Sequence, residues 1–280
     1  MNPEKLWHYS DAAGLFGIIR TSSLRFGHVG FLNDVTESSY GLGVIERFVA
    51  DNVPSFDPSF QAAMLEQIRA RGPENTEFFI CSFSENGDSL SQWQRYGADG
   101  RGYAIGFDAK ELSTGFGPRV YLRRMLYSEA DQRERLGQSV ARNLPRIEVE
   151  YPFAKKQERG WVTQLRAAHL AGALHAVAWE FKNHRFADEC EWRLIREHSF
   201  DTSTPPELLA FAPRSDVIKP FVEIRRPDMA DASGLLPLRT VVCGPKLESN
   251  LATSSVRRFL ATHGYKDVLV NASDLSNVWR

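Results

Sequence analysis

The sequence predicts an α+β protein built on a mainly antiparallel, split β-sheet with flanking helices. Three observations carry that expectation. Seven stretches, most of them in the middle and late chain, have the β-branched and aromatic texture of strands. These strands are not separated by regular helices, as a doubly wound parallel sheet would require. No segment rich in Gly, Pro or Ser divides the chain, so residues 1–280 are expected to form a single domain.

The elements follow in order. "LWHY" (6–9) reads as a short strand with Leu6 and His8 on one face and Trp7 and Tyr9 on the other. Ser10 or Asp11 then caps a helix whose stripe is Leu15, Ile18 and Ile19. A loop-rich stretch, "LRFGHVGFLNDVTESSYG", leads to a helix through Leu42, Ile45, Phe48 and Val49, and another helix carries Phe60, Met64 and Ile68. Strands are expected at 78–84, 102–107, 119–127, 191–197, 221–226, 239–244 and 266–270. Two helices lie between the third and fourth of these. The second repeats Leu174, Val177, Ala178 and Phe181 at helical spacing. A late helix carries Val256, Phe259 and Leu260 and stops at His263-Gly264.

Composition narrows the function classes. The chain has 280 residues, 42% hydrophobic and 25% charged, as ordinary globular proteins are. No apolar run approaches the roughly 20 residues of a spanning helix, so no membrane partner is expected. "MNPEKLW" has no apolar signal core. Three widely spaced cysteines, Cys81, Cys190 and Cys243, argue against a disulfide scaffold and for a cytoplasmic location. The net charge of -1 gives no global attraction to nucleic acid, although "RVYLRR" and "KKQERG" concentrate positive charge locally.

Four stretches are candidates for chemistry. His8 is either a packed strand histidine bonded to a backbone carbonyl or a ligand of a bound molecule. In "FLNDVTES", the cluster Asn33, Asp34, Thr36 and Glu37 has the form of an Asx-turn feeding a helix cap. "CSFSENGDSLSQWQRYGADGRGYAIGF" places Ser82 and Ser84 on one strand face, then a short helix with Leu90, Trp93 and Tyr96. Those hydroxyl, indole and phenol groups suit a ligand with flat rings and ribose hydroxyls, and also suit a packed connection. In "FADECEWRLI", a strand would put Glu189, Glu191 and Arg193 on one face and Cys190, Trp192 and Leu194 on the other. That face is either a solvated ion pair or a carboxylate oriented by a neighbouring arginine. No GxxxxGK[ST], GxGxxG or HExxH motif occurs, and His169 and His175 are poorly spaced for one metal. "YGADGRG" is a phosphate cradle or a turn.

Taken together, "LWHYSDAAGLFGIIRTSSLRF", "FLNDVTES", "CSFSENGDSLSQWQRYG", "GYAIGF", "CEWRLI", "IKPFVEI" and "VVCGPK" resemble, over nearly the whole chain, a bacterial family catalogued as domain of unknown function family 2971. That family resembles a distant branch of the ADP-ribosyltransferase fold, and the early His, middle aromatic and late Glu resemble the His-Tyr-Glu arrangement of those enzymes. The resemblance implies NAD as co-substrate, no metal, and a macromolecular acceptor, nucleic acid or protein. It implies that His8 hydrogen-bonds the nicotinamide-side ribose with Ser10 beside it, and that Tyr96, or its rival Trp93, stacks on nicotinamide. Ser84 and Ser91 would bind the amide or ribose. Glu191 would stabilise the ribose cation as nicotinamide leaves. Arg193 would hold Glu191 or the pyrophosphate. Glu189, with Asn33, Asp34 and Glu37, would address the acceptor, although the Glu-x-Glu subclass begins with an arginine where this chain has His8. For a nucleic-acid acceptor the expected basic rim is Arg119, Arg123, Arg124, Lys155 and Lys156. The function implied is a toxin or phage-defence ADP-ribosyltransferase. A silent nucleotide-binding sensor and an NAD glycohydrolase are the alternatives.

Overall fold

A computed structural model describes residues 3–32, 35–51, 56–70, 78–117, 119–152, 159–197, 209–214, 217–225 and 234–277. The chain forms two compact units. Met1–His28, Glu77–Arg124 and Asp188–Arg280 make the first, and Val29–Thr76 with Met125–Ala187 the second. Both are discontinuous in sequence, so no change of composition marks a boundary.

The first unit holds a sheet of ten strands among the described residues. They are β1 (Lys5–Ser10), β2 (Ser23–His28), β3 (Phe78–Ser84), β4 (Tyr103–Asp108), β5 (Val120–Arg124), β6 (Glu191–Glu197), β7 (Leu209–Arg214), β8 (Val217–Arg225), β9 (Leu238–Cys243) and β10 (Leu269–Ala272). The order is β10-β9-β4-β1-β3-β2-β8-β7, with β6 pairing β3 and β5. Every pairing is antiparallel except β10 with β9. The architecture is thus mixed α/β with a large, mostly antiparallel sheet and flanking helices.

The sheet forks at β3. β6 runs along one edge of β3 for its whole length, from Phe78↔Glu197 to Ser84↔Glu191. The other edge is shared: β1 pairs at Trp7↔Ser84, and β2 pairs at Gly27↔Ile80 and His28↔Phe79. The gap between them falls at Ser82. One sheet face is the main core, with Leu6, Phe83, Ile105, Phe107, Trp192 and Leu194 packed under α1 (Ala12–Thr21). Its stripe Leu15, Ile18 and Ile19 is buried as the helical spacing predicted, and Asp11, not Ser10, supplies the cap by accepting from the Gly14 N–H at 2.7 Å.

The second unit is helical: α2 (Val35–Asp51), α3 (Pro58–Ala70), α6 (Glu129–Glu150) and α7 (Arg159–Ala178). α7 packs against the other three around Leu136, Leu170, Ala171 and Leu174. The remaining helices, α4 (Leu90–Arg95), α5 (Ala109–Thr114) and α8 (Ser249–Thr262), belong to the first unit. Among the described residues no helix is long and apolar enough to cross a membrane.

Three expectations about elements need correction. Part of the stretch read as loop-rich is β2, where Leu24 and Phe26 are buried and Arg25 is exposed; Gly27 interrupts the alternation before it can register. β7 was not foreseen, because Pro213 demotes "LAFAPR" as a strand. It is tolerated at the sheet edge, where β7 pairs only with β8. Phe181 does not continue the last turn of α7. That helix ends at Ala178, and Phe181 is buried in a short bridge with Leu126.

Candidate functional site

The end of β3 and the start of β6 gather the polar groups. Residues paired across an antiparallel ladder point to the same face. Ser82↔Arg193 and Ser84↔Glu191 therefore share one face, with Trp7 beside Ser84, while Cys81, Phe83, Trp192 and Leu194 turn into the core. On the polar face Glu191 and Arg193 form a two-point ion pair. Arg193 Nε donates to Glu191 Oε1 at 2.8 Å and Nη2 to Oε2 at 3.0 Å. Both are buried, at 5% and 2% exposure. Burial lowers the Arg193 guanidinium to about 9, which leaves it charged at neutral pH.

Glu189 does not lie on the strand, because β6 begins at Glu191 and Glu189 ends a 3-10 helix, His184–Glu189. Between them Cys190 adopts a φ of 43°, in the left-handed region that costs a non-glycine residue roughly 1–2 kcal/mol. The kink is held from β3. Ser84 Oγ donates to the Glu189 carbonyl at 2.7 Å and accepts from Asn86 N–H, and Glu85 N–H donates to the Cys190 carbonyl. Ser84 is thereby a brace for the carboxylate segment. The Glu189 carboxylate, buried, accepts from Arg95 Nη1 at 2.6 Å and Tyr96 OH at 3.2 Å.

Tyr96 and Trp93, offered by the sequence as rivals, separate. Trp93 is fully buried, edge-on to Tyr9, and its Nε1 donates to Asp88 at 2.6 Å. It is a core residue. Tyr96 caps α4, stays 37% exposed, and its ring is the one presented at the surface beside Glu189. Ser91 bonds Ser89 through the hydroxyls at 3.2 Å.

His8 lies on the other face. β1 alternates, and His8 pairs with Ile105 and sits with Leu6 and Phe83, whereas Trp7 pairs with Ser84. Its Nδ1–H donates to the Ser82 carbonyl at 2.9 Å, filling the gap where the sheet forks. Desolvation lowers the pKa of the ring, against the opposing pull of that hydrogen bond, so Nε2 is left as an acceptor at neutral pH. His8 and Ser10 line a cleft of about 160 Å³ with Gly17, Thr21 and Ser23. The register therefore puts His8 and Ser10 on one face and Glu191, Arg193 and Ser84 on the other.

The acceptor-side residues scatter. Asn33, Asp34, Lys155 and Lys156 lie outside the described residues. Glu37 is in the first turn of α2, in the second unit. Arg123 pairs across the ladder with Arg193 and so shares its face, with its guanidinium 5.3 Å from the Tyr121 ring. Arg124 meets Glu85 at 3.2 Å, and Arg119 is exposed. "YGADGRG" is a turn: Gly102 N–H returns to the Gly97 carbonyl, and a Cβ on Gly102 would stand 2.2 Å from the Ser10 carbonyl.

Two residues of consequence escaped the sequence reading. Arg95 had one signal, its place beside Tyr96. Asp88 had none, although it takes Trp93 Nε1, Ser273 Oγ and Asp274 N–H together. Among the described residues no group of His, Cys, Asp and Glu could hold a metal ion.

No curated protein and no solved structure matches the chain. A family model does match: residues 92–194, the segment that carries Arg95, Tyr96, Glu189, Glu191 and Arg193, are similar to the family described as protein of unknown function (DUF2971).

Proposed function

We propose that the chain is an NAD-dependent ADP-ribosyltransferase that moves ADP-ribose from NAD to a macromolecule, nucleic acid or protein, and releases nicotinamide. The observation that carries this reading is the Glu191 carboxylate, fixed at both oxygens by buried Arg193 on the sheet face that also holds Ser82 and Ser84. Breaking the C1′–N bond sends its electron pair to nicotinamide and leaves positive charge on the ribose. The acceptor's lone pair then bonds C1′ as its proton departs. A carboxylate held in place stabilises that charge without reorganising, and more in the transition state than in the ground state. Tyr96 offers an exposed ring for the leaving nicotinamide, with its hydroxyl kept by Glu189. Arg123 lies on the same face, and this reading assigns it to a phosphate-bearing acceptor. NAD suits this donor set as a co-substrate, since the step needs a buried carboxylate and an aromatic face and no metal.

One observation favours a second reading. Glu191 is almost inaccessible, as a purely structural ion pair would be, and that fits a silent nucleotide-binding module. NAD labelled on its adenylate half separates the readings, with wild type and Glu191→Gln compared in the presence of cell extract. Nicotinamide release that Glu191→Gln lowers at least about a hundredfold, with label on protein or nucleic acid, supports the transferase. Release with label only in free ADP-ribose makes it a glycohydrolase. Binding without release by either protein sinks the enzyme and leaves the sensor.

A further inference from the structure

We propose that the cleft between α1 and the strands β1 and β2 binds an uncharged heterocycle of one ring, with a ring N–H beside a carbonyl, as in the pyrimidine bases. The cleft belongs to the first unit and opens on the sheet face away from Glu191, so the inference goes beyond the transferase reading and does not rest on it. Its volume is about 160 Å³, well below the roughly 300–1,000 Å³ of sites for drug-sized molecules. That is room for a single ring and not for a whole dinucleotide.

His8 is the reason to look there. A carbonyl only accepts, so the 2.9 Å bond to the Ser82 carbonyl fixes the proton on Nδ1 and leaves Nε2 with a lone pair. Burial lowers the pKa of the ring and keeps it neutral. The ring packs beside Phe83, with Cys81 Sγ 4.0 Å from Nδ1, and among the described residues nothing donates to Nε2. Ser10 lies two residues on along β1, on the same strand face, and its hydroxyl also bonds no described residue. The cleft therefore offers an acceptor that requires a donor, and beside it a hydroxyl that can give or take a proton. A ring N–H next to a carbonyl answers both from one edge.

The rest of the lining excludes charge and excess hydroxyls. Arg25, its one charged side chain, is paired with Glu223 at 3.6 Å and lies over the Phe221 ring. Thr21 Oγ1 donates to the Gly17 carbonyl and Ser23 Oγ to Glu223, so both protons are committed. A sugar would leave several hydroxyls unpaired against Ala13, Ile18 and Leu24, whereas a flat ring packs on them. α1 supplies the flat wall. A Cβ on Gly14 would stand 1.9 Å from Ser10 Oγ, so this glycine seats the hydroxyl. A Cβ on Gly17 would meet nothing within 4 Å, so packing does not demand a glycine there, although glycine weakens a helix interior. Gly17 leaves bare backbone on which a ring can lie.

Ligand-observed NMR titration of the full chain with uracil tests the proposal. Wild type is expected to bind uracil with a Kd of about 1 mM or tighter. 1,3-Dimethyluracil, the same ring with no N–H to give, is expected to bind at least about tenfold more weakly. Ser10→Ala, which breaks no bond within the described residues, is expected to weaken uracil about three- to tenfold. Gly17→Leu fills the cleft, improves the helix and is expected to abolish binding. Failure of wild type to bind uracil overturns the site. So does equal binding of the dimethyl analogue, binding that Ser10→Ala leaves unchanged, or binding retained by a Gly17→Leu protein that circular dichroism shows folded.

Discussion

The Glu191–Arg193 pair yields a quantitative test, because both members are buried and each holds the other at two points. Arg193→Met leaves a carboxylate in the interior without its arginine. Breaking a buried pair in this way costs about 3–5 kcal/mol. Glu191→Gln keeps an acceptor for the guanidinium but leaves that cation buried without its counter-charge, which costs at least about 1–2 kcal/mol. The double variant has no buried charge left. Replacing both ions at once is expected to cost no more than about 1–2 kcal/mol. The cycle should therefore show a coupling of at least about 3 kcal/mol, read from urea unfolding of the full chain at pH 7. Coupling below about 1 kcal/mol would mean that the pair is solvated in solution, in the range of exposed ion pairs. The fixed orientation on which the proposed chemistry rests would then be lost.

Two further outcomes follow from single side chains. Burial lowers the His8 pKa, so the unfolded chain binds the proton more readily than the folded one. Its contribution is complete above the free value of about 6.5 and declines as pH falls toward the folded value, at up to about 1.4 kcal/mol per pH unit. His8→Asn keeps a donor for the Ser82 carbonyl without titrating, so the stability gap between variant and wild type should shift in the variant's favour from pH 7 to pH 5; parallel pH profiles would contradict the burial of the ring. Gly41→Ala and Gly43→Ala should diverge in thermal melts. The first forces α2 off Ala178 and costs about 1–3 kcal/mol, whereas the second gains up to about 1 kcal/mol of helix propensity. Equal shifts for the two would refute the close approach of α2 and α7.

Much of the site was legible in the residues themselves. The alternation in "CSFS" and "CEWRL" put Ser82 with Ser84 and Glu191 with Arg193 because the strand period is two and the intervening Phe83 and Trp192 need a core. The step from Glu189 to Glu191 was misread for a local reason. The same period carries the alternation only as far as the strand extends, and the left-handed Cys190 ends it. Nothing in "DECEW" marks that kink; Ser84, over a hundred residues earlier, holds it.

By itself, then, the sequence determined the secondary structure wherever apolar residues repeat without interruption, as in α1, α8 and β3, since burial of one face suffices to select the period. It also determined which side chains share a strand. Only the tertiary structure decided which strands neighbour one another, and with that which face each group meets. Pairing partners are chosen by contacts remote along the chain: β3 at residue 84 lies between β1 at residue 7 and β6 at residue 191. That choice places His8 across the sheet from Glu191, turns Trp93 inward and Tyr96 outward, and opens the sheet at Ser82. No local period encodes such choices, because they depend on which surfaces are buried together when the chain has folded.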